Sequence, residues 1–134
     1  MMKRYKSFQE VPVWGIAHQA TLKVYLIAKN FPKEELYGLG SQVKRSAASA
    51  PANIAEGFYR NSTKELILFL YNARGSCGET IYHLILAKDL GYIDEKIFNE
   101  LKETYDEIAK QLNGWINSLK ARLAINHQSL VINH

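Results

Sequence analysis

Apolar residues recur along this chain at steps of three and four in four long stretches, and the step of two that marks a strand is absent. In the first stretch Val13, Ala17, Ala20, Val24, Ile27 and Phe31 line one face. A Val-Pro pair suits its start, and Asn30-Phe31-Pro32 closes it. The second carries Leu36, Leu39, Val43, Ala47, Ala50 and Ile54 up to Gly57. The third opens on Ser62 and Glu65, spaced so that a hydroxyl and a carboxylate can satisfy the first free backbone N–H groups. Its inner face is Leu66, Phe69, Leu70, Ala73, Cys77, Thr80, Leu84 and Ala87. The fourth opens on Asp94 and holds Ile97, Leu101, Tyr105, Ile108, Leu112, Trp115, Leu119 and Leu123 in near-heptad register. This pattern predicts an all-α protein with helices over about 13–30, 33–57, 62–90 and 94–125. They form one domain, residues 1–126, followed by a C-terminal tail, 127–134. Short connections between long amphipathic helices favour antiparallel neighbours, hence an up-down-up-down four-helix bundle.

The second helix contains SAASAPANIAEGF, residues 46–58, with a proline in the middle of good helix formers. Pro51 has no N–H and its ring crowds the Ala47 carbonyl. A continuous helix is therefore expected to kink there and leave that acceptor without its usual donor. On a helical projection Gln42, Arg45, Ser46, Ser49, Asn53 and Glu56 form a polar stripe beside the core, backed by Ala48, Ala52 and Ala55. Such a stripe is either a solvated face or a close helix contact. On the second reading Arg45, Ser49, Asn53 and Glu56 are structural. Asn53 then bonds backbone near Pro51, and Glu56 pairs with Arg45 or Arg74.

Outer faces separate the last two helices. Glu103, Asp106, Glu107, Lys110, Asn113, Asn117 and Ala121 fall opposite the core stripe of the fourth, a face meant for water. The third places Leu68, Tyr71, Gly75, Tyr82 and Leu86 there, so it is apolar nearly all round and needs cover on both sides. Either the C-terminal segment folds back over it or a second copy of the chain does, with Gly75 and Gly78 admitting a close backbone.

Composition narrows the class. With 134 residues, 47% hydrophobic and 22% charged, the chain is an ordinary globular one of a single domain. A lone Cys77 forms no internal disulfide, and no apolar run approaches the roughly 20 residues of a membrane span. The basic start has no signal-peptide core, so a cytoplasmic protein is expected. A net charge of +4 suits an anionic partner or plain solubility equally well.

The run from LYGLGSQVKRSAASAPANIAEGFYR through FLYNARGSCGETIYHLILAKDLGYI resembles the ribosomal RNA intervening-sequence proteins. These are a four-helix-bundle family that also includes accessory variability proteins of diversity-generating retroelements. The most specific part is NIAEG, residues 53–57, with SQVKRSA before it and ARGS after it; Cys77-Gly78 stand where the family usually has small residues. Close likeness covers about residues 8–93, and the fourth helix matches in character only. The resemblance implies a bundle that assembles into a homo-oligomeric ring, a pentamer, and implies no established enzyme activity or cofactor. For the accessory proteins it implies contact with nucleic acid and with a reverse transcriptase.

Catalytic chemistry needs clustered groups, and here the candidates are scattered. His18 and His83 have no partner at metal-ligand spacing, and Cys77 sits on an inner face, where a small buried hydrophobe is expected. No catalytic residue, cofactor site or metal ligand is therefore assigned. One rival remains: RLAINH, Arg122 to His127, is similar to the arginine–four-residue–histidine motif of the HEPN ribonucleases. There Arg would hold a phosphate and His would move a proton. Basic residues favour the first three helices and their approaches: Lys3, Arg4, Lys6, Lys44, Arg45, Arg60, Lys64 and Arg74. The fourth helix mixes its lysines with acids. In a ring of identical copies any basic patch repeats, so weak phosphate contacts act together. These observations lead to a non-enzymatic adaptor or chaperone binding RNA or DNA. The alternative is a protein-binding scaffold whose cations only solubilise it.

Overall fold

The computed structural model of the chain describes the backbone of residues 5–132 and the side chains as far as His127. Four helices, α1 (Pro12–Ala28), α2 (Leu39–Phe58), α3 (Thr63–Asp89) and α4 (Glu95–Ile132), account for nearly all of it, with 3₁₀ turns at Phe8–Glu10 and Lys33–Glu35. No strand occurs among the described residues, and the helices pack as a bundle. The closest neighbours are α2 and α3, then α3 and α4, then α1 with α2 and with α4. Cross-helix pairs show the antiparallel run directly. Ser46 meets Thr80 while Ser49 meets Ser76, and Tyr71 meets Lys120 while Arg74 meets Asn113. As one residue number rises, its partner's falls.

Local chemistry sets the helix ends. Ser7 and Glu10 form a reciprocal capping box ahead of α1, and Pro12 occupies the first helical turn, where its missing N–H costs nothing. Ser62 Oγ accepts from Glu65 N at 3.1 Å to start α3, and Asp94 Oδ1 accepts from Ile97 N at 2.8 Å to start α4. Gly91, at φ 81°, ends α3: its N–H donates to Lys88 O and the Tyr92 N–H to Ala87 O, a pairing that needs a left-handed residue.

Two boundaries differ from the sequence reading. The expected second helix at 33–57 begins six residues late, because Glu35 is used as a corner. Its carboxylate accepts from Leu39 N (2.9 Å) and from the Tyr92 hydroxyl (2.9 Å), capping α2 from outside. Those two donors also hold the Glu35 carboxyl below its usual range. The chain doubles back so tightly that a Cβ on Gly40 would lie 2.8 Å from the Glu35 carbonyl oxygen. At the other end, the expected tail at 127–134 is helical through Ile132, and residues 133–134 lie outside the described residues. No glycine or proline after Trp115 interrupts α4, so the helix propagates.

The core contains Val24, Val43, Ile54, Leu70, Leu84, Tyr105, Ile108, Leu112 and Ile116, all essentially without solvent contact. Burying each such side chain contributes roughly 1.5–3 kcal/mol. Helix α2 runs unbroken through Pro51, and the acceptor that this proline abandons is met from another helix. The Thr21 hydroxyl of α1, buried, lies 3.0 Å from Ala47 O and 2.9 Å from Ala17 O. One short polar side chain thus joins α1 to α2 where α2 lacks a backbone donor. The Tyr105 hydroxyl lies beside Thr21 but makes no well-formed hydrogen bond, and burial pushes its pKa up.

Candidate nucleic-acid interface

The polar stripe of α2 divides into two. Ser46, Ser49 and Asn53 enter the seam with α3, where the Thr80 hydroxyl oxygen lies 2.9 Å from Ser46 Oγ and 2.8 Å from Ser76 O. Ser76 Oγ lies 2.9 Å from Ser49 Oγ, and Asn53 Nδ2 donates to Ser49 O (2.8 Å) and Ser49 Oγ (3.0 Å). Gly57 closes the seam, since a Cβ there would come within 3.0 Å of both Leu66 and Phe69. Small hydroxyl residues satisfy one another where two backbones approach closely. Arg45 and Glu56 face outward instead. Glu56 pairs with Arg60, one turn on, at 2.8 Å, which corrects the expected pairing with Arg45 or Arg74. Arg45 lies three turns away, roughly 16 Å along the helix, and Arg74 is held elsewhere.

The basic residues occupy separate places. Lys44 lies over the Tyr25 ring (5.6 Å to the centroid) and Arg60 over the Phe69 ring (4.5 Å). From Lys44 to its end at Phe58, just short of Arg60, α2 runs fourteen residues, about 21 Å. Lys6, Arg45 and Lys64 are exposed, and Lys3 and Arg4 lie outside the described residues. Arg74 belongs to a tighter group on the outer edge between α3 and α4. Its guanidinium lies 4.8 Å from the Tyr71 centroid and donates to Asn113 Oδ1 at 2.7 Å. Lys120 Nζ lies 5.8 Å from the same centroid and donates to the Tyr71 hydroxyl at 3.1 Å. The sequence reading missed Lys120 and Asn113. Their seven-residue spacing puts both on the α4 edge facing α3, but pairing them with Arg74 needed the antiparallel register.

Of the apolar face expected on α3, Leu68 is 61% exposed and Tyr82 57%, Ile85 borders them, and space around Gly75 and Gly78 is open. Leu86 is half-buried, and Tyr71 is occupied by its two cations. The C-terminal segment continues along the α4 axis as helix to Ile132. A second apolar surface, unforeseen from the sequence, is an open groove of about 420 Å³ between α1 and α2. Trp14, His18, Leu22 and Tyr25 wall it, and Ala48, Pro51, Ala52 and Ala55 form its floor. His18 stacks on Trp14 with ring centroids 4.9 Å apart.

The catalytic candidates stay apart. Burial pushes the Cys77 thiol up to about 12, so it is no nucleophile near neutrality. His83 Nε2 lies 3.4 Å from Glu79 Oε2, and among the described residues no three His, Cys, Asp or Glu side chains could hold a metal ion together. Arg122 and His127 are both exposed on a continuous helix, where a five-residue step turns them about 140° apart. None of the helices in the described residues is long and apolar enough to cross a membrane.

The fold and surface define a small all-α bundle protein with an apolar interior and a basic, aromatic exterior. Residues 9–114 match the family described as 23S rRNA-intervening sequence protein, and the chain belongs to that family, as NIAEG and its flanks suggested. Among solved structures it is similar to the crystal structure of a protein of unknown function from the S23 ribosomal protein family of Bacteroides thetaiotaomicron. Identity is 25%, the TM-score is 0.71, and the likeness covers 78% of this chain and 97% of that one. No curated protein matches the chain.

Proposed function

We propose that this protein is a non-enzymatic, homo-oligomeric adaptor or chaperone that binds structured RNA or DNA through the phosphate backbone. The observation that carries the reading is a set of cations without acidic partners, two of which, Arg74 and Lys120, are held in place by other side chains. Arg45, Lys64, Arg74 and Lys120 have no carboxylate within ion-pair distance among the described residues, whereas α4 pairs Lys102 with Asp106 at 2.7 Å. Arg74, fixed by a ring and an amide, and Lys120, fixed by a phenol oxygen, remain available to an external anion. Among the described residues there is no base-reading element of known type, which favours contact with phosphates over sequence readout.

Assembly multiplies that weak signal. A ring of identical copies needs two different complementary faces on each chain. Helix α3 supplies Leu68, Gly75, Tyr82 and Leu86. On the diagonally opposite helix α1, Leu22, Tyr25 and Leu26 are 47%, 45% and 61% exposed. The family resemblance puts the copy number at five. Light scattering at micromolar concentration is expected to give several times the chain mass of 15.3 kDa, and Leu68→Asp to dissociate the assembly. A monomer at high concentration sinks the ring. Equilibrium binding across a salt series tests the nucleic-acid reading, since log affinity falls steeply with log salt when counterions are released. No binding at low salt, or binding indifferent to salt, leaves a protein-binding scaffold. RNA cleavage abolished by His127→Ala would favour the ribonuclease instead.

A further inference from the structure

The geometry points to a defined phosphodiester-binding subsite on the α3–α4 edge, built by Arg74, Lys120 and Tyr71 and oriented by Asn113. It rests on the nucleic-acid reading above and gives it a location. Two cations, one from each helix, meet one tyrosine: Arg74 over the ring, 4.8 Å from its centroid, and Lys120 at the hydroxyl end, 3.1 Å from the oxygen. No carboxylate among the described residues lies within ion-pair distance of either. The Tyr71 ring face and the Asn113 amide oxygen hold Arg74, and the Tyr71 hydroxyl oxygen holds Lys120.

Donor chemistry gives the pair a direction. Arg74 spends one N–H on Asn113 Oδ1, and the rest of its planar fork remains to be used. Lys120 spends one N–H on the Tyr71 oxygen. Because that oxygen accepts, the Tyr71 O–H is left to donate outward. A guanidinium, an ammonium and a phenol O–H therefore border one ring, with no acceptor among the described residues for their remaining protons, and can serve a singly charged phosphodiester with two free oxygens. The aromatic edge beside them can lie against a sugar or base without reading its identity. Arg45 and Lys64 lack such a platform and contribute only general attraction.

The site also borders the apolar face of α3 without being part of it. In a ring, Tyr71 would form the rim of each interface and Leu68 and Tyr82 its interior, so every copy would present one such site along a shared edge. Repeated subsites of this kind suit a folded or wrapped strand.

The test uses the full chain with two substitutions, Arg74→Gln with Lys120→Gln, against an RNA hairpin and a DNA duplex of matching sequence. The control is Lys33→Gln with Lys96→Gln, two exposed lysines elsewhere, at the same net charge. The edge variant is expected to weaken binding at least tenfold at low salt and to make the log–log salt slope shallower by about 1.8 per chain, two phosphate contacts' worth. The control should leave the slope in place, and light scattering should give wild-type mass for both. A stronger effect on one nucleic acid identifies which backbone the site takes. Wild-type salt-sensitive binding with an unchanged slope in the edge variant overturns this subsite and spares the general reading. Absence of salt-sensitive binding in the wild type overturns both. A changed assembly mass in the edge variant overturns it in favour of a protein–protein contact.

Discussion

The two edges of α3 make opposite use of polar side chains. Toward α2, Thr80 and Ser76 meet Ser46 and Ser49 at 2.9 Å, and every one of these hydroxyls has a partner inside the chain. Toward α4, Arg74 and Lys120 gather on Tyr71 and keep most of their donors unspent. The first edge is narrow because its residues are small, and Gly57 shows how narrow: a single carbon would touch Leu66 and Phe69. The second is open and long-armed. A polar group satisfied within the chain acts on stability, whereas one held in place yet left unsatisfied at the surface acts on whatever arrives. The same helix thus serves packing on one side and recognition on the other.

The largest expected effect lies at the narrow edge. Gly57→Leu forces side-chain carbon into the Leu66–Phe69 contact and should cost about 3 kcal/mol in denaturant unfolding. Wild-type stability would mean that the seam can open. A second test reaches the neighbouring α1–α2 contact. Thr21→Val removes the hydroxyl that meets the carbonyl abandoned by Pro51 and should cost about 2 kcal/mol. In a Pro51→Ala background Ala47 regains its helical N–H donor, so the same substitution should cost about 1 kcal/mol less. Equal costs in both backgrounds would show that Thr21 does not answer the proline.

Alkaline pH probes the inner face of α3. The unfolded thiol of Cys77 ionises near 9.0, while the folded one stays protonated to about 12. Between those values the unfolded state binds fewer protons, so stability falls as pH rises, by about 1.4 kcal/mol per pH unit from this group. Tyr105, also raised, acts in the same direction. Cys77→Ala should make the alkaline limb of an unfolding series shallower by one proton, and an unaltered limb would place the thiol in contact with water. The smallest effect belongs to the open edge. Arg74→Gln with Lys120→Gln should change unfolding free energy by less than about 0.5 kcal/mol, as exposed groups do. A loss above 1 kcal/mol would make this edge structural too, and the contrast would disappear.

Much of the scaffold was legible because helical periodicity is a local property. The steps of Val43, Ala47, Ala50 and Ile54, and the heptads from Leu101 to Leu119, follow from 3.6 residues per turn, whatever packs against them. The family likeness was likewise carried by a contiguous run, NIAEG. Boundaries were less secure where a distant residue decided them. Helix α2 starts late because Glu35 caps it while bonded to Tyr92, 57 positions along the chain. Glu56 was a different case: its partner Arg60 lies four residues on, a spacing that the sequence offered and the reading of the stripe passed over.

By itself, the sequence determined that four amphipathic helices form, where Pro51 removes a donor, and which side of α3 has too many apolar residues for one core. Only the tertiary structure decided that Thr21 meets the freed carbonyl, that half of the α2 stripe turns inward, and that Lys120 joins Arg74 on one tyrosine. Each of these is a meeting between helices. The hydrophobic pattern fixes which face of a helix turns inward, but the axial register between two helices comes from how their side chains interdigitate, which no single helix contains.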